Sequence, residues 1–89
     1  MNLNLECKLA VVTGAARGIG AAIAQGFVDE GASVLMIDMN DDVATGAAEL
    51  GVESLVCDLT QPGVDKSIAA AAGKLGGASI LVNNAGISR

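Results

Sequence analysis

The chain has 89 residues, 52% of them apolar, with a single aromatic residue and a formal net charge of −5. That length allows one domain or part of one, with a thin core of Ala, Val, Leu and Ile. Five scattered basic residues exclude a nucleic-acid surface, and no apolar run reaches the roughly 18 residues of a membrane span.

Met1 to Glu6 lacks the positive flank of a signal peptide, so the expected location is cytoplasmic. Lys8 to Thr13 reads as a buried strand. Gly14, Gly18 and Gly20 follow. Ile19, Ala22, Ile23, Gly26 and Phe27 then recur at i, i+3, i+4, i+7 and i+8, which predicts one apolar helix face ended by Gly31. Ser33 to Ile37 is a second strand with Asp38 at its carboxyl end. Asn40, Asp41 and Asp42 are cap candidates for a helix reaching about Leu50 and closed by Gly51. Glu53 to Cys57 is a third strand. Thr60 is expected to cap a third helix, with Pro62 in its first turn and Val64, Ile68, Ala71, Ala72 and Leu75 on its buried face. Gly76 and Gly77 break that helix, and Ser79 to Val82 is the fourth strand.

Strands separated by helices need crossover connections, which are right-handed in nearly all cases. The expected fold is therefore α/β: a Rossmann-type parallel sheet of four strands in the order 3-2-1-4, with three helices over its two faces. Residues 1–89 form one unit. If Cys7 and Cys57 sit on the first and third strands with the second between them, they are two spacings of roughly 4.8 Å apart. This exceeds the roughly 7 Å limit for a disulfide. With no histidine and two isolated cysteines, a zinc site is not expected either, and both thiols read as packing residues.

A strand that runs into a glycine turn and then a helix is a holder for a dinucleotide diphosphate. The helix start offers unpaired N–H groups and the positive end of its dipole. The spacing Gly14-x-x-x-Gly18-x-Gly20 differs from G-x-G-x-x-G, but the physical roles carry over. Gly14 makes the turn, Gly18 permits close backbone approach, and Gly20 brings helix against strand. Asp38, eighteen residues after Gly20, either accepts both hydroxyl hydrogens of an adenosine ribose or caps the following helix. If it meets the ribose, it opposes a 2′-phosphate. One charge pair at about 4 Å is worth roughly 4 kcal/mol at an effective dielectric of about 20. Arg17 either reaches toward such a phosphate or is a solvated loop residue. An exposed arginine recovers less than a fixed carboxylate takes away, so NAD is expected and NADP is disfavoured.

Thr13-Gly14-Ala15-Ala16-Arg17-Gly18-Ile19-Gly20 resembles the cofactor motif of the short-chain dehydrogenase/reductase family. Asp58-Leu59-Thr60 and Asn83-Asn84-Ala85-Gly86 resemble two further motifs of that family, in order and at fitting strand ends. The resemblance covers essentially the whole chain. It implies that Asp58 contacts the adenine amino group with the Leu59 backbone beside the ring, and that Asn84, Ala85 and Gly86 pass near the nicotinamide-side ribose. It also implies that Asn83 helps tie the sheet together. Without a ligand, Asp58 would be an N-cap-like turn residue and Asn83 and Asn84 a polar turn. The expected cofactor-facing set is Gly14, Ala16, Arg17, Gly18, Ile19 and Gly20 in the turn, and Asp38 and Met39 after the second strand. Asp58 and Leu59 follow the third strand, and Asn84, Ala85 and Gly86 the fourth.

In that family a tyrosine acts as general acid/base in hydride transfer between nicotinamide and a carbonyl or alcohol. A lysine four residues later lowers the tyrosine's pKa, and a serine orients the substrate. This chain contains no tyrosine, and a phenolic acid/base cannot act without the phenol. No catalytic residue is assigned. The expectation is a truncated, NAD-binding N-terminal portion of an oxidoreductase, incomplete relative to the family fold and not turning over alone. The alternative is a non-catalytic nucleotide-sensing or interaction module that uses its exposed sheet edge for self-association or pairing. A third possibility is a separately made C-terminal chain that complements it.

Overall fold

The computed structural model describes residues 8–77 and 80–83. Along the chain run β1 (Leu9–Thr13), α1 (Gly18–Asp29), β2 (Ser33–Asp38), α2 (Asp42–Leu50), β3 (Glu53–Val56), α3 (Val64–Lys74) and β4 (Ile80–Asn83). Every pairing is parallel, as helical crossovers between successive strands allow, and the sheet order is β3-β2-β1-β4. Strands buried on both faces must be apolar throughout rather than alternating. β1 is buried at all five positions, and β2 from Val34 to Ile37. The pleat sends successive side chains to opposite faces. Val12, Val34 and Met36 meet Ala24, Val43 and Ala47 of α1 and α2, whereas Leu9, Val11, Leu35 and Ile37 meet Ala72 of α3. Among the described residues, one face therefore carries two helices and the other a single helix.

α1 is rotated by one position from the face read in the sequence. Gly20 and Ala24 are buried, and Ile23, Phe27 and Val28 pack beside them. Ile19 is 65% exposed, and Ala22 and Gly26 also face solvent. The smallest residues take the inner stripe because they let the helix axis approach the sheet. α2 begins at Asp42, but neither Asp41 nor Asp42 caps it through a side chain. Asn40 Oδ1 instead accepts the Asp42 N–H at 2.9 Å. Gly51, with φ 75°, ends the helix in the left-handed conformation, and Val52 N–H returns to Ala47 O at 2.9 Å.

The third helix starts later than its cap signal suggests. Gly63, at φ 81°, precedes Val64, so Pro62 lies before the helix rather than in its first turn. Thr60 does not cap it, because its hydroxyl is spent on Asp58. Ile68, Ala71, Ala72 and Leu75 do form its inner face. β3 ends at Val56, yet Cys57 N–H continues the ladder to Asp38 O at 3.0 Å. Cys57 is a half-buried thiol packed on the α3 side, and burial, with Asp58 adding to it, pushes its pKa up. Lys8 stays outside β1 and uses its carbonyl for the Ser33 N–H. Cys7 and Ser79 lie outside the described residues.

Candidate functional site

The parallel register lines up the carboxyl ends of the strands. Thr13 sits between Ile37 and Asn83, and Asp38 pairs with Val56. The loops after β1, β2 and β3 therefore emerge along one edge, which is where a parallel sheet forms its ligand crevice. Thr13 joins the first and last strands there. Its hydroxyl lies 3.2 Å from Asn83 Oδ1 and 3.3 Å from Val82 O. The tie expected of Asn83 is thus present, and a buried threonine supplies its other half.

Leaving β1, Gly14 has φ 63° and Gly18 has φ 65°, a region that suits glycine and strains most other residues. Between them Ala15 N–H bonds Ile37 O at 3.0 Å, keeping the turn on the sheet. A Cβ at Gly18 would meet nothing within 4 Å, so the backbone there faces open space. Arg17 is extended and gives α1 no side-chain cap, and the first turn of α1 carries no acidic residue. The amides of a helix start have no intrahelical partner. This helix end therefore offers donors and a positive dipole end without a carboxylate in its own first turn to neutralise them. Gly20, buried on the sheet, allows the close approach that sets this geometry.

Asp38 is half-buried at the end of β2 and uses both oxygens. Oδ2 accepts Ala16 N–H and Oδ1 accepts Asn40 N–H, each at 3.0 Å. It therefore does not cap α2; it fastens the glycine turn to the end of the neighbouring strand. Arg17 also bonds outside its own loop. Its guanidinium is 3.1 Å from Asp42 Oδ2, with both side chains largely in water. Met39, like Ile19, is an exposed large apolar residue on this edge.

Asp58 follows β3. Its Oδ1 accepts the Thr60 N–H at 2.9 Å and the Thr60 hydroxyl at 2.7 Å. These bonds hold its carboxyl below the usual carboxylate range. The turn arrangement open to Asp58 is thus formed. Leu59, half-buried, packs on the α3 side of the core. Asn84, Ala85 and Gly86 lie outside the described residues. Among the described residues, no three His, Cys, Asp or Glu side chains gather as a metal site, and no helix is long and apolar enough to cross a membrane. Thr13 as a tie and Asp42 as the partner of Arg17 are features of the fold beyond the sequence expectations. A polar residue ending an apolar strand is a signal for the first. The second pairing spans 25 residues and leaves no local pattern.

The family description that fits this chain is short chain dehydrogenase, matched over residues 8–89. The chain belongs to that family. Galactitol 2-dehydrogenase of Agrobacterium fabrum is 43% identical to it over 91 residues, covering 96% of this chain and 35% of that enzyme. The crystal structure of hydroxysteroid dehydrogenase from Escherichia coli superposes with a TM-score of 0.79 and 40% identity, over 92% of this chain and 38% of that one. The Pseudomonas aeruginosa RhlG/NADP active-site complex gives a TM-score of 0.83 and 34% identity, over 93% and 36%. This short-chain dehydrogenase sequence thus spans 35% to 38% of the length of those relatives. The four-stranded 3-2-1-4 sheet is the Rossmann-like part that they share with it.

Proposed function

We propose that residues 1–89 are the NAD(H)-binding N-terminal portion of a short-chain dehydrogenase/reductase, an oxidoreductase that interconverts an alcohol and a carbonyl when complete. The observation that carries this reading is Asp38. Its half-buried carboxylate stands at the carboxyl end of β2, 3.0 Å from the Ala16 amide and beside the uncapped start of α1. An adenosine ribose in that position would donate its hydroxyl hydrogens to Asp38, and a 2′-phosphate would be repelled. The RhlG complex holds NADP; the charge of Asp38 is the reason for choosing NAD here.

The residues fit a nicotinamide dinucleotide in their chemistry. The amides of α1 answer a diphosphate, and the open face of Gly18 admits a phosphate oxygen where a side chain would stand. A nicotinamide dinucleotide held there would supply the hydride chemistry of the complete enzyme. Gly14 and Gly18 bring backbone to the diphosphate, Ala16, Arg17 and Ile19 line the turn, and Gly20 holds α1 close. By the family resemblance, Asp38 and Met39 would border the adenosine ribose, Asp58 and Leu59 the adenine, and Asn84, Ala85 and Gly86, which lie outside the described residues, the nicotinamide side. The family's tyrosine is not among these 89 residues, so this chain by itself is assigned no turnover. Its expected setting is cytoplasmic.

Calorimetric titration of the chain with NAD and NADP tests the reading. Weak NAD binding, weaker NADP binding and no NAD reduction with alcohol substrates are expected. Tighter binding of NADP, or measurable turnover, would overturn it. A second reading, a non-catalytic module that pairs through its sheet edge, draws support from Leu81. That residue of β4 is 67% exposed, on an outer strand among the described residues.

A further inference from the structure

We propose that Asp42 is a specificity-determining residue for the cofactor, acting as a tether on Arg17. The inference rests on the NAD reading above and concerns what the chain does with its own basic residue in the glycine turn. A guanidinium is well suited to a phosphate monoester. Unrestrained, Arg17 would favour a dinucleotide that carries a 2′-phosphate. Its terminal nitrogen instead lies 3.1 Å from Asp42 Oδ2.

That contact belongs to a closed circuit. Ala16 N–H donates to Asp38 Oδ2 at 3.0 Å, and Asn40 N–H donates to Asp38 Oδ1 at 3.0 Å. Asp42 N–H donates to Asn40 Oδ1 at 2.9 Å, and the Asp42 carboxylate accepts from Arg17. The circuit therefore returns to the residue next to the one it left. Two consecutive loop residues are held by two carboxylates, one ending β2 and one opening α2. The local bonds through Asn40 fix where the Asp42 backbone sits, so its side chain meets Arg17 from a defined position.

The consequence is a competition. A 2′-phosphate has to draw Arg17 away from Asp42 while lying beside Asp38. NAD leaves the pair intact. Because the Arg17 and Asp42 side chains are 72% and 66% exposed, water and salt weaken the tether, and the discrimination it adds is graded. Asp38 excludes the phosphate directly; Asp42 withholds the cation that would reward it.

The test is a double-mutant cycle read by calorimetric titration with NAD and NADP. Asp42→Asn is expected to tighten NADP binding about two- to fivefold, the range of an exposed ion pair, while NAD affinity stays within about twofold. In an Arg17→Gln background the same substitution is expected to leave NADP affinity unchanged, since there is no guanidinium to release. An equal gain in both backgrounds would reduce Asp42 to simple repulsion and overturn the tether. An unmoved NADP affinity in Asp42→Asn, with NAD still bound, would overturn it too. Failure of the parent chain to bind NAD would instead remove the reading beneath it. Urea unfolding of each variant separates these outcomes from loss of fold.

Discussion

Gly18 holds two requirements at one residue. Its φ of 65° strains residues with a Cβ, and the space beside that Cβ position is open. Gly18→Val would join a backbone penalty to a filled cradle and so could not separate them. Gly18→Asn does separate them, because asparagine tolerates the left-handed region better than other side-chain residues. We expect the Asn variant to lose at most about 1 kcal/mol of folding stability by urea unfolding, and to lose NAD binding at least about tenfold, or about 1.4 kcal/mol. NAD affinity equal to that of the parent would remove the diphosphate from this turn. Asp38 shows why a single residue can be read correctly and still incompletely. Its position after an apolar strand was plain in the sequence. Its bonds to Ala16 and Asn40 were not, because they depend on how a strand end and a glycine turn come to lie side by side.

At the scale of elements, α1 is the informative case. Counting apolar residues put Ile19, Ala22 and Gly26 inward; the helix buries Gly20 and Ala24 instead. Hydrophobicity ranks isoleucine above glycine for burial. The sheet, however, selects for closeness, and a helix resting on small residues brings its N-terminal amides nearer the strand ends. Ile19→Ser should change folding stability by less than about 0.5 kcal/mol. Ala24→Leu should destabilise by about 1–3 kcal/mol through overpacking. Comparable effects in urea unfolding would restore the rotation read from the sequence. The strands, by contrast, were legible to within a residue or so, because glycines punctuate them and β1, β2 and β4 carry continuous apolar runs. α3 shows the limit of cap signals. Thr60 and Pro62 had the composition of a helix start, but Asp58 uses Thr60 in its own turn, and the helix waits until after Gly63.

At the scale of all the described residues, the parallel pairing follows from the alternation of strands and helices, and the cover of each face from where the helices come to rest. Two helices serve one face, and α3 serves the β1–β2 part of the other. β4 extends past that cover, which is why Leu81 pairs with buried Val11 yet is 67% exposed. An outer strand with a bare apolar side chain invites pairing. The 89-residue chain is expected to self-associate as its concentration rises, and Leu81→Lys to shift it toward monomer in sedimentation velocity. A variant whose mass distribution matched the parent's would exclude β4 as the contact. The pairing partners of the strands and the exposed edge of β4 were legible at this scale; which strands α3 comes to rest on was not.

The bond from Thr13 to Asn83 joins residues 70 positions apart, and it sets an order of events. β1 is made first and lies inside the described sheet, yet one side of it stays open until Ile80–Asn83 have been synthesised. β2 and β3 can dock early, through contacts closer in sequence. The closure that turns an apolar edge strand into an inner one follows these and must join residues 70 positions apart rather than neighbours, a slow kind of contact. A ribosome carrying these residues therefore holds β1 unpaired along one side until Ile80–Asn83 emerge.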